Sequence, residues 1–144
     1  MMPFDAAFNP VIAAIQRACR GAKPKCLRAD DVWQDTIIIQ DIFNLLVRSS
    51  IVVVDFSTRN PNVMYETGIA HTLGRPVVPI SQSVDDVPFD LRHHRFLKYL
   101  PNGEGLAALE STLAERLKTL SAQNAPTGGA TTGYRDYRRT SRAR

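Results

Sequence analysis

The sequence is poor in the residues that most often hold metal ions. Its 144 residues include two cysteines and three histidines. Cys19 and Cys26 lack the spacing of metal ligands, and we interpret them as buried thiols rather than as a disulfide. His93 and His94 are adjacent, so on any regular element they point in different directions, and only His71 lies elsewhere. No metal site is therefore predicted, and no cofactor is expected.

Long apolar runs are also absent. No stretch approaches the roughly 20 apolar residues that cross a bilayer. The N-terminal segment lacks the charged and apolar regions of a signal peptide. We therefore expect no contact with membranes and a cytoplasmic location.

Excess charge is confined to one end of the chain. The net charge is +4, and residues 134–144, with five arginines and one aspartate, account for all of it. A neutral body with a basic tail is not typical of a nucleic-acid-binding domain, so nucleic acid is expected to make at most weak contacts with the tail. Beyond residue 120 no apolar period persists. We predict one domain at residues 1–121 and a disordered basic tail at 122–144.

Predicted strands and helices alternate along this domain. Helices are predicted at 9–22, 36–48, 60–74 and 106–120, and strands at 25–29, 51–54, 76–80 and 95–100, after a very short first strand within residues 1–5. A helical turn is predicted at 88–92 and an irregular turn at 101–105. The alternation predicts an α/β, flavodoxin-like (Rossmann-like) fold with a five-stranded parallel sheet of order 2-1-3-4-5 and helices on both faces.

Residues 50–80 form the central unit of this prediction. Ile51–Val54 is a β-branched run that suits a strand buried on both faces, and Asp55 follows it. Asn60 and Pro61 have the residue types of a helix cap and a first helical position, and Gly74 ends the helix. Ligands of open α/β folds bind beyond the carboxyl ends of the strands, at the switch point. A ligand site is therefore expected beside Asp55.

The predicted switch point lies between strands 1 and 3. It would bring Phe4 and Asp5 beside Asp55 and Ser57, with Glu66 facing the same crevice. Ser57, Thr58 and Arg59 precede a helix N-terminus, where exposed amides attract anions, so they are candidates for binding a phosphate. Ser, Thr and Arg are also ordinary loop residues, and Asp55 could instead cap the loop.

Several segments together resemble the nucleoside 2-deoxyribosyltransferase-like superfamily, which includes deoxynucleoside 5′-monophosphate N-hydrolases and TIR-like relatives. The matching segments are Met2-Pro3-Phe4-Asp5, Arg28-Ala29-Asp30-Asp31, Val54-Asp55, residues 60–70, residues 73–77 and residues 88–92, together with Asp41. The most specific of them is the run Tyr65-Glu66-Thr67-Gly68-Ile69-Ala70, followed by Leu-Gly-Arg-Pro at 73–76. The resemblance covers residues 1 to about 118.

This resemblance implies cleavage of an N-glycosidic bond. Glu66 matches the family nucleophile that attacks the anomeric carbon of the sugar, and Asp41, with Asp55, would orient the sugar and the base. A carboxylate facing the anomeric carbon stabilises an oxocarbenium-like state or bonds to it. Asn60 stands where the transferases place an aspartate, which favours hydrolysis over transfer. The further substrate-binding candidates are Phe4, Asp5, Ser57, Thr58, Arg59, Asn60, Asn62 and Tyr65.

Two other functions remain open for the same fold. One is a nucleotide-binding or sensing domain without catalysis, in which Glu66 is an ordinary solvated helix carboxylate. The other is a TIR-like signalling module that acts when assembled. A small nucleotide-like molecule is the expected ligand, namely a deoxynucleoside, its 5′-monophosphate or an NAD-like dinucleotide. The resemblance also implies a homodimer, because family sites are often completed by a neighbouring subunit.

Overall fold

A computed structural model describes residues 1–22, 25–27, 38–92 and 95–124. Four α-helices lie in these ranges: α1 (Asn9–Ala22), α2 (Ile38–Arg48), α3 (Pro61–Thr72) and α4 (Gly103–Gln123). The strands in the same ranges are β1 (Val52–Asp55), β2 (Val77–Ser81) and β3 (Leu97–Lys98). Short 3-10 turns lie at Ala6–Phe8, Ser57–Arg59, Val84–Asp86 and Phe89–Leu91. None of the described helices is long and apolar enough to cross a membrane.

The three described strands form one parallel sheet in the order β1-β2-β3. Val52 lies opposite Val77, and Asp55 lies opposite Ile80. β3 is short and continues the sheet by pairing Leu97 with Ile80. The carboxyl ends of all three strands therefore meet at one edge of the sheet.

Helices cover both faces of this sheet. On one face, α1 and α4 pack on Val78 and Ile80 of β2, with Leu113 of α4 fully buried. On the other face, α2 and α3 pack on Val52 and Val54 of β1. Alternate side chains of a strand point to opposite faces, and for this reason two separate apolar clusters arise from one short sheet.

The predicted five-stranded sheet of order 2-1-3-4-5 is wrong. The first five residues form no strand, and Met1 alone pairs with β1: its nitrogen donates to the Val53 oxygen at 2.7 Å, and its oxygen accepts from the Asp55 N–H at 2.9 Å. Pro3 has no N–H with which to continue such a ladder. Of the predicted strand 25–29, residues 25–27 are irregular, while residues 28–29 lie outside the described residues.

Local boundary signals in the central unit are confirmed. The Asn60 side chain caps α3 by accepting from the N–H groups of Asn62 and Val63, and Pro61 is the first helical residue. Gly74 follows the helix with a φ of +64°, in the left-handed region that glycine adopts without strain. The predicted turn at 88–92 is confirmed as the 3-10 turn Phe89–Leu91.

The predicted turn at 101–105 is wrong in its second half, because α4 already begins at Gly103. Asn102 is the cap, and its side chain accepts from the Gly105 N–H at 2.7 Å. The helix continues to Gln123, so its last residues lie within the segment predicted to be a tail. Residues 125–144 of that tail lie outside the described residues.

The two glycines of the first turn of α4 provide a matched test of this packing. A Cβ at Gly105 would lie 2.7 Å from the Leu100 Cβ and 2.9 Å from the Leu100 nitrogen, whereas a Cβ at Gly103 would meet nothing within 4 Å. We expect Gly105→Ala to lower the free energy of unfolding by about 1–3 kcal/mol through overpacking. Gly103→Ala should leave it unchanged or raise it by up to about 1 kcal/mol. Urea unfolding measures both, and equal values would contradict the close approach of α4 to Leu100.

Candidate functional site

A cavity of the described structure lies beside β1. Its volume is about 430 Å³, and it is lined by residues 1–4, 25–27 and 48–53 and by apolar side chains of α1 and α2. Glu66 of α3 and Leu117 of α4 complete the wall from opposite faces of the sheet. The cavity is therefore enclosed by the N-terminal segment, β1 and helices from both faces of the sheet.

Glu66 is the one carboxylate among the described residues of the cavity wall. It lies on the buried side of α3 because Val63, Glu66 and Ala70 follow each other at helical spacing. Its side chain is only 9% exposed. Burial raises the pKa of Glu66, and the nearby α-ammonium group of Met1 partly offsets this rise.

Asp55 belongs to a different environment, a hydrogen-bond network at the carboxyl ends of the strands. It is 1% exposed and does not line the cavity. One carboxylate oxygen accepts from the Tyr99 hydroxyl at 2.6 Å, and the other accepts from the Ser57 N–H at 2.9 Å. Gln82 extends the network, with its N–H donating to the Ser57 hydroxyl at 2.9 Å and its side-chain amide donating to the Tyr99 hydroxyl at 3.1 Å.

Burial controls the ionisation of this network. It raises the pKa of Asp55, although the bonds from Ser57 and Tyr99 act in the opposite direction. It also raises the pKa of Tyr99, and the adjacent Asp55 carboxylate adds to that effect. Tyr99 therefore remains a protonated donor to Asp55. The arrangement holds a buried carboxylate in place and leaves it no direct access to the cavity.

The predicted phosphate site at Ser57–Arg59 is occupied by carboxylate and carbonyl groups of the chain itself. The Thr58 N–H donates to Asp86 Oδ2 at 3.2 Å, and the Arg59 guanidinium lies 3.5 Å from Asp86 Oδ1. Arg59 also donates to the Asp85 carbonyl oxygen at 2.7 Å. Thr58 and Arg59 have positive φ values of 66° and 53°. Such values are uncommon for residues other than glycine, and most of all for a β-branched residue such as Thr58. The turn 84–86 thus holds an uncommon backbone conformation in place.

The remaining predicted site residues are spread over several environments. Phe4 is exposed and lines the cavity with Glu66, but Asp5 caps the turn Ala6–Phe8 by accepting from the Ala7 N–H at 2.8 Å. Asp41 is buried on α2 and is not a cavity-lining residue. Asn60 serves as the cap of α3, while Asn62 and Tyr65 are exposed on that helix and do not line the cavity.

Of the eleven predicted site residues, the structure brings only Phe4 and Glu66 to the cavity wall, and it joins Asp55 and Ser57 in the buried network. Sequence reasoning missed Tyr99, Gln82 and Asp86, which bind the residues that follow β1. A usable signal existed for Gln82, because it lies two residues after the predicted strand 76–80, whose carboxyl end lies beside that of β1. No pattern in the sequence indicates that Tyr99 reaches Asp55.

The polar groups available to a ligand in the cavity come mostly from its rim. Lys25 and Arg48 supply positive charge, and Gln16, Ser49 and Ser50 supply hydrogen-bonding groups. Across the described ranges, no group of three or more His, Cys, Asp or Glu side chains could hold a metal ion. The cavity is thus a largely apolar recess with one buried carboxylate and a positively charged rim.

Comparisons with known proteins found no matching family model, no matching curated protein and no matching solved structure.

The Asp55–Tyr99 bond can be tested by removing the hydroxyl. We expect Tyr99→Phe to lower the free energy of unfolding by about 1.5–3 kcal/mol at neutral pH, because the bond is made to a buried carboxylate. Tyr65→Phe is the matched control, because Tyr65 is 62% exposed. Removal of its hydroxyl should lower the free energy of unfolding by less than about 0.5 kcal/mol. Urea unfolding of both variants beside the wild type measures the difference. Wild-type stability in Tyr99→Phe would contradict a stabilising role for this bond.

The stability of Tyr99→Phe should depend on pH in a direction that the pKa of Asp55 determines. The pKa of Asp55 in the folded protein lies above the ordinary value of 3.8, so the folded protein binds this proton more tightly than the unfolded chain does. The free energy of unfolding therefore falls as the pH rises through the window between 3.8 and the folded-state pKa. Tyr99→Phe removes a bond that lowers the pKa, so it should extend this window upward. Below the window Asp55 is protonated, and the cost of the substitution should fall to about 0.5–1.5 kcal/mol, as for a neutral bond.

Proposed function

We propose that the protein cleaves the N-glycosidic bond of a deoxynucleotide-like substrate bound in the cavity beside β1, with Glu66 as the nucleophile. The observation that carries the proposal is the position of Glu66, a carboxylate that is 9% exposed and lines a cavity of about 430 Å³. A cavity of this size is in the range of small-molecule sites. The resemblance of residues 60–77 to the deoxyribosyltransferase-like superfamily supports the same reaction.

The chemistry follows from the position of this carboxylate. A Glu66 oxygen attacks the anomeric carbon as the bond to the base breaks, and the base leaves with the bonding electron pair. Water then attacks the same carbon and releases the sugar from Glu66. Asp41 and Asp55 do not line the cavity, so we assign protonation of the leaving base to a water molecule and not to either aspartate.

The rim favours a substrate that carries a phosphate. Lys25 and Arg48 both line the cavity and are exposed, so they place positive charge where a polar part of the substrate would leave the apolar recess. Charged donors bind phosphate oxygens more strongly than neutral donors do. We therefore propose a 5′-monophosphate or a dinucleotide as substrate in preference to a free deoxynucleoside.

A binding or sensing domain without catalysis is the second candidate function. It is favoured by one observation, the lack of a second carboxylate among the described residues that line the cavity. N-glycosidic cleavage usually uses a second group to protonate the leaving base. In a sensing domain, Glu66 would bind a donor group of the nucleotide without reacting.

A cytoplasmic location is also part of the proposed function. Cys19 and Cys26 both line the cavity and are free thiols that are not joined in a disulfide. Disulfides are rare in cytosolic proteins, where reducing systems keep thiols reduced. Two neighbouring cysteines that remain thiols suit such a compartment.

Release of free base separates the two functions. We expect chromatography to detect base release from deoxynucleoside 5′-monophosphates or NAD, and we expect Glu66→Gln to lower kcat/KM by at least about 10³-fold. Glu115→Gln is the control, because it makes the same change at an exposed position of α4. Saturable nucleotide binding without base release would favour the sensing domain, and neither release nor binding would exclude both.

The pH dependence of base release should identify the titrating group. Glu66 must be ionised to attack, and burial raises its pKa above the ordinary value of 4.5. Activity should therefore rise with pH, with the midpoint of kcat/KM above 4.5. A flat profile across this range would contradict Glu66 as the nucleophile.

A further inference from the structure

Two cysteines lie together in the wall of the cavity. Cys19 belongs to the buried side of α1, and Cys26 lies in the irregular segment 25–27 that follows the helix. Both line the cavity, and Cys26 packs against the apolar cluster that contains Cys19. We propose that Cys19 and Cys26 form a peroxide-reactive dithiol that closes into a reversible disulfide in the wall of the cavity. The inference uses no part of the glycosidase chemistry and is independent of the proposed function.

The surroundings of the two thiols assign them different roles. Cys19 is 6% exposed, whereas Cys26 is only partly buried and is the more accessible of the two. The hydrogen bond to Cys26 and burial both raise the pKa of Cys19, so this thiol remains protonated. Because Cys26 is the more accessible thiol and Cys19 stays protonated, Cys26 reacts first, and Cys19 is the resolving thiol.

The reaction balances with hydrogen peroxide as the oxidant. The Cys26 thiolate attacks one peroxide oxygen, the O–O bond breaks, and the second oxygen leaves as hydroxide, which takes up a proton to form water. Cys26 is then a sulfenic acid. The Cys19 sulfur attacks the Cys26 sulfur and loses its proton, and the hydroxyl group of the sulfenic acid leaves as a second molecule of water. Two thiols and one peroxide thus give one disulfide and two waters.

The local backbone allows this closure. A disulfide requires the sulfur atoms to approach to about 2.05 Å, which is shorter than a hydrogen-bonded contact. Cys19 is held in α1, but Cys26 lies outside regular structure and can move without breaking a helix or a strand. Lys25 and Leu27 also line the cavity, so the disulfide would join this part of the wall to α1.

Intact-mass measurement of the full chain tests the proposal, because the chain contains only these two cysteines. After treatment with a slight excess of hydrogen peroxide under native conditions, we expect a monomer about 2 Da lighter and the loss of both titratable thiols, with dithiothreitol restoring both. Trypsin cleaves after Arg17, Arg20, Lys25 and Arg28. The oxidised protein should therefore yield the peptide Ala18–Arg20 joined to Cys26–Arg28.

Two variants separate the assigned roles. Cys19→Ser should stop the reaction at the sulfenic acid of Cys26, which a dimedone label detects. Cys26→Ser should slow the oxidation of Cys19 by at least about tenfold, because Cys19 is buried and protonated. Thermal unfolding of both variants verifies that they remain folded before their reactivity is compared.

Three outcomes would overturn the inference. One is oxidation of Cys26 to a sulfinic acid or to a disulfide between two chains, while Cys19 stays a thiol. Another is the lack of any reaction in the folded wild-type protein at a peroxide concentration that oxidises both thiols after unfolding. The third is faster oxidation of Cys19 in Cys26→Ser than in the wild type.

Discussion

The buried bond between Asp55 and Tyr99 joins the two outer strands of the sheet. Asp55 ends β1 and Tyr99 follows β3, so the bond passes over the end of β2. A carboxylate that is 1% exposed needs strong partners, because an unpaired buried charge costs several kcal/mol. Tyr99 supplies one partner, and the Ser57 N–H supplies the other. The hydrogen bonds of this one group therefore link the end of β1 to the residue that follows β3 and to the start of the next turn.

This constraint also positions the candidate nucleophile. The turn that Asp55 holds leads within a few residues to Asn60, which caps α3. The helix then turns the side of Val63, Glu66 and Ala70 towards the sheet. Glu66 reaches the cavity from one face, while the Asp55 network closes the end of the strands. The two carboxylates consequently serve different purposes: one can meet a ligand, and the other holds the structure.

The turn between β1 and α3 lacks the open amides that would bind an anion. Asp86 accepts from the Thr58 N–H and lies beside the Arg59 guanidinium, so a carboxylate of the chain occupies the position of a phosphate. Lys25 and Arg48 line the cavity and are exposed, and the α-ammonium group of Met1 lies near Glu66 in the same wall. The positive charge at the cavity therefore comes from residues outside the turn that precedes α3.

The sequence by itself determined helices α1 and α3 and the residues at which α3 begins and ends. Asn60, Pro61 and Gly74 act through the backbone of their own neighbours, and the apolar period of α1 needs no distant partner. It also placed Glu66 on a helix beside a parallel strand. Only the tertiary structure decided the number of strands, because a strand exists only when another segment pairs with it, and Pro3 limits that pairing to Met1. It alone decided that Asp55 turns to Tyr99 and that both cysteines line one cavity, since contacts between distant residues depend on how the helices and strands pack.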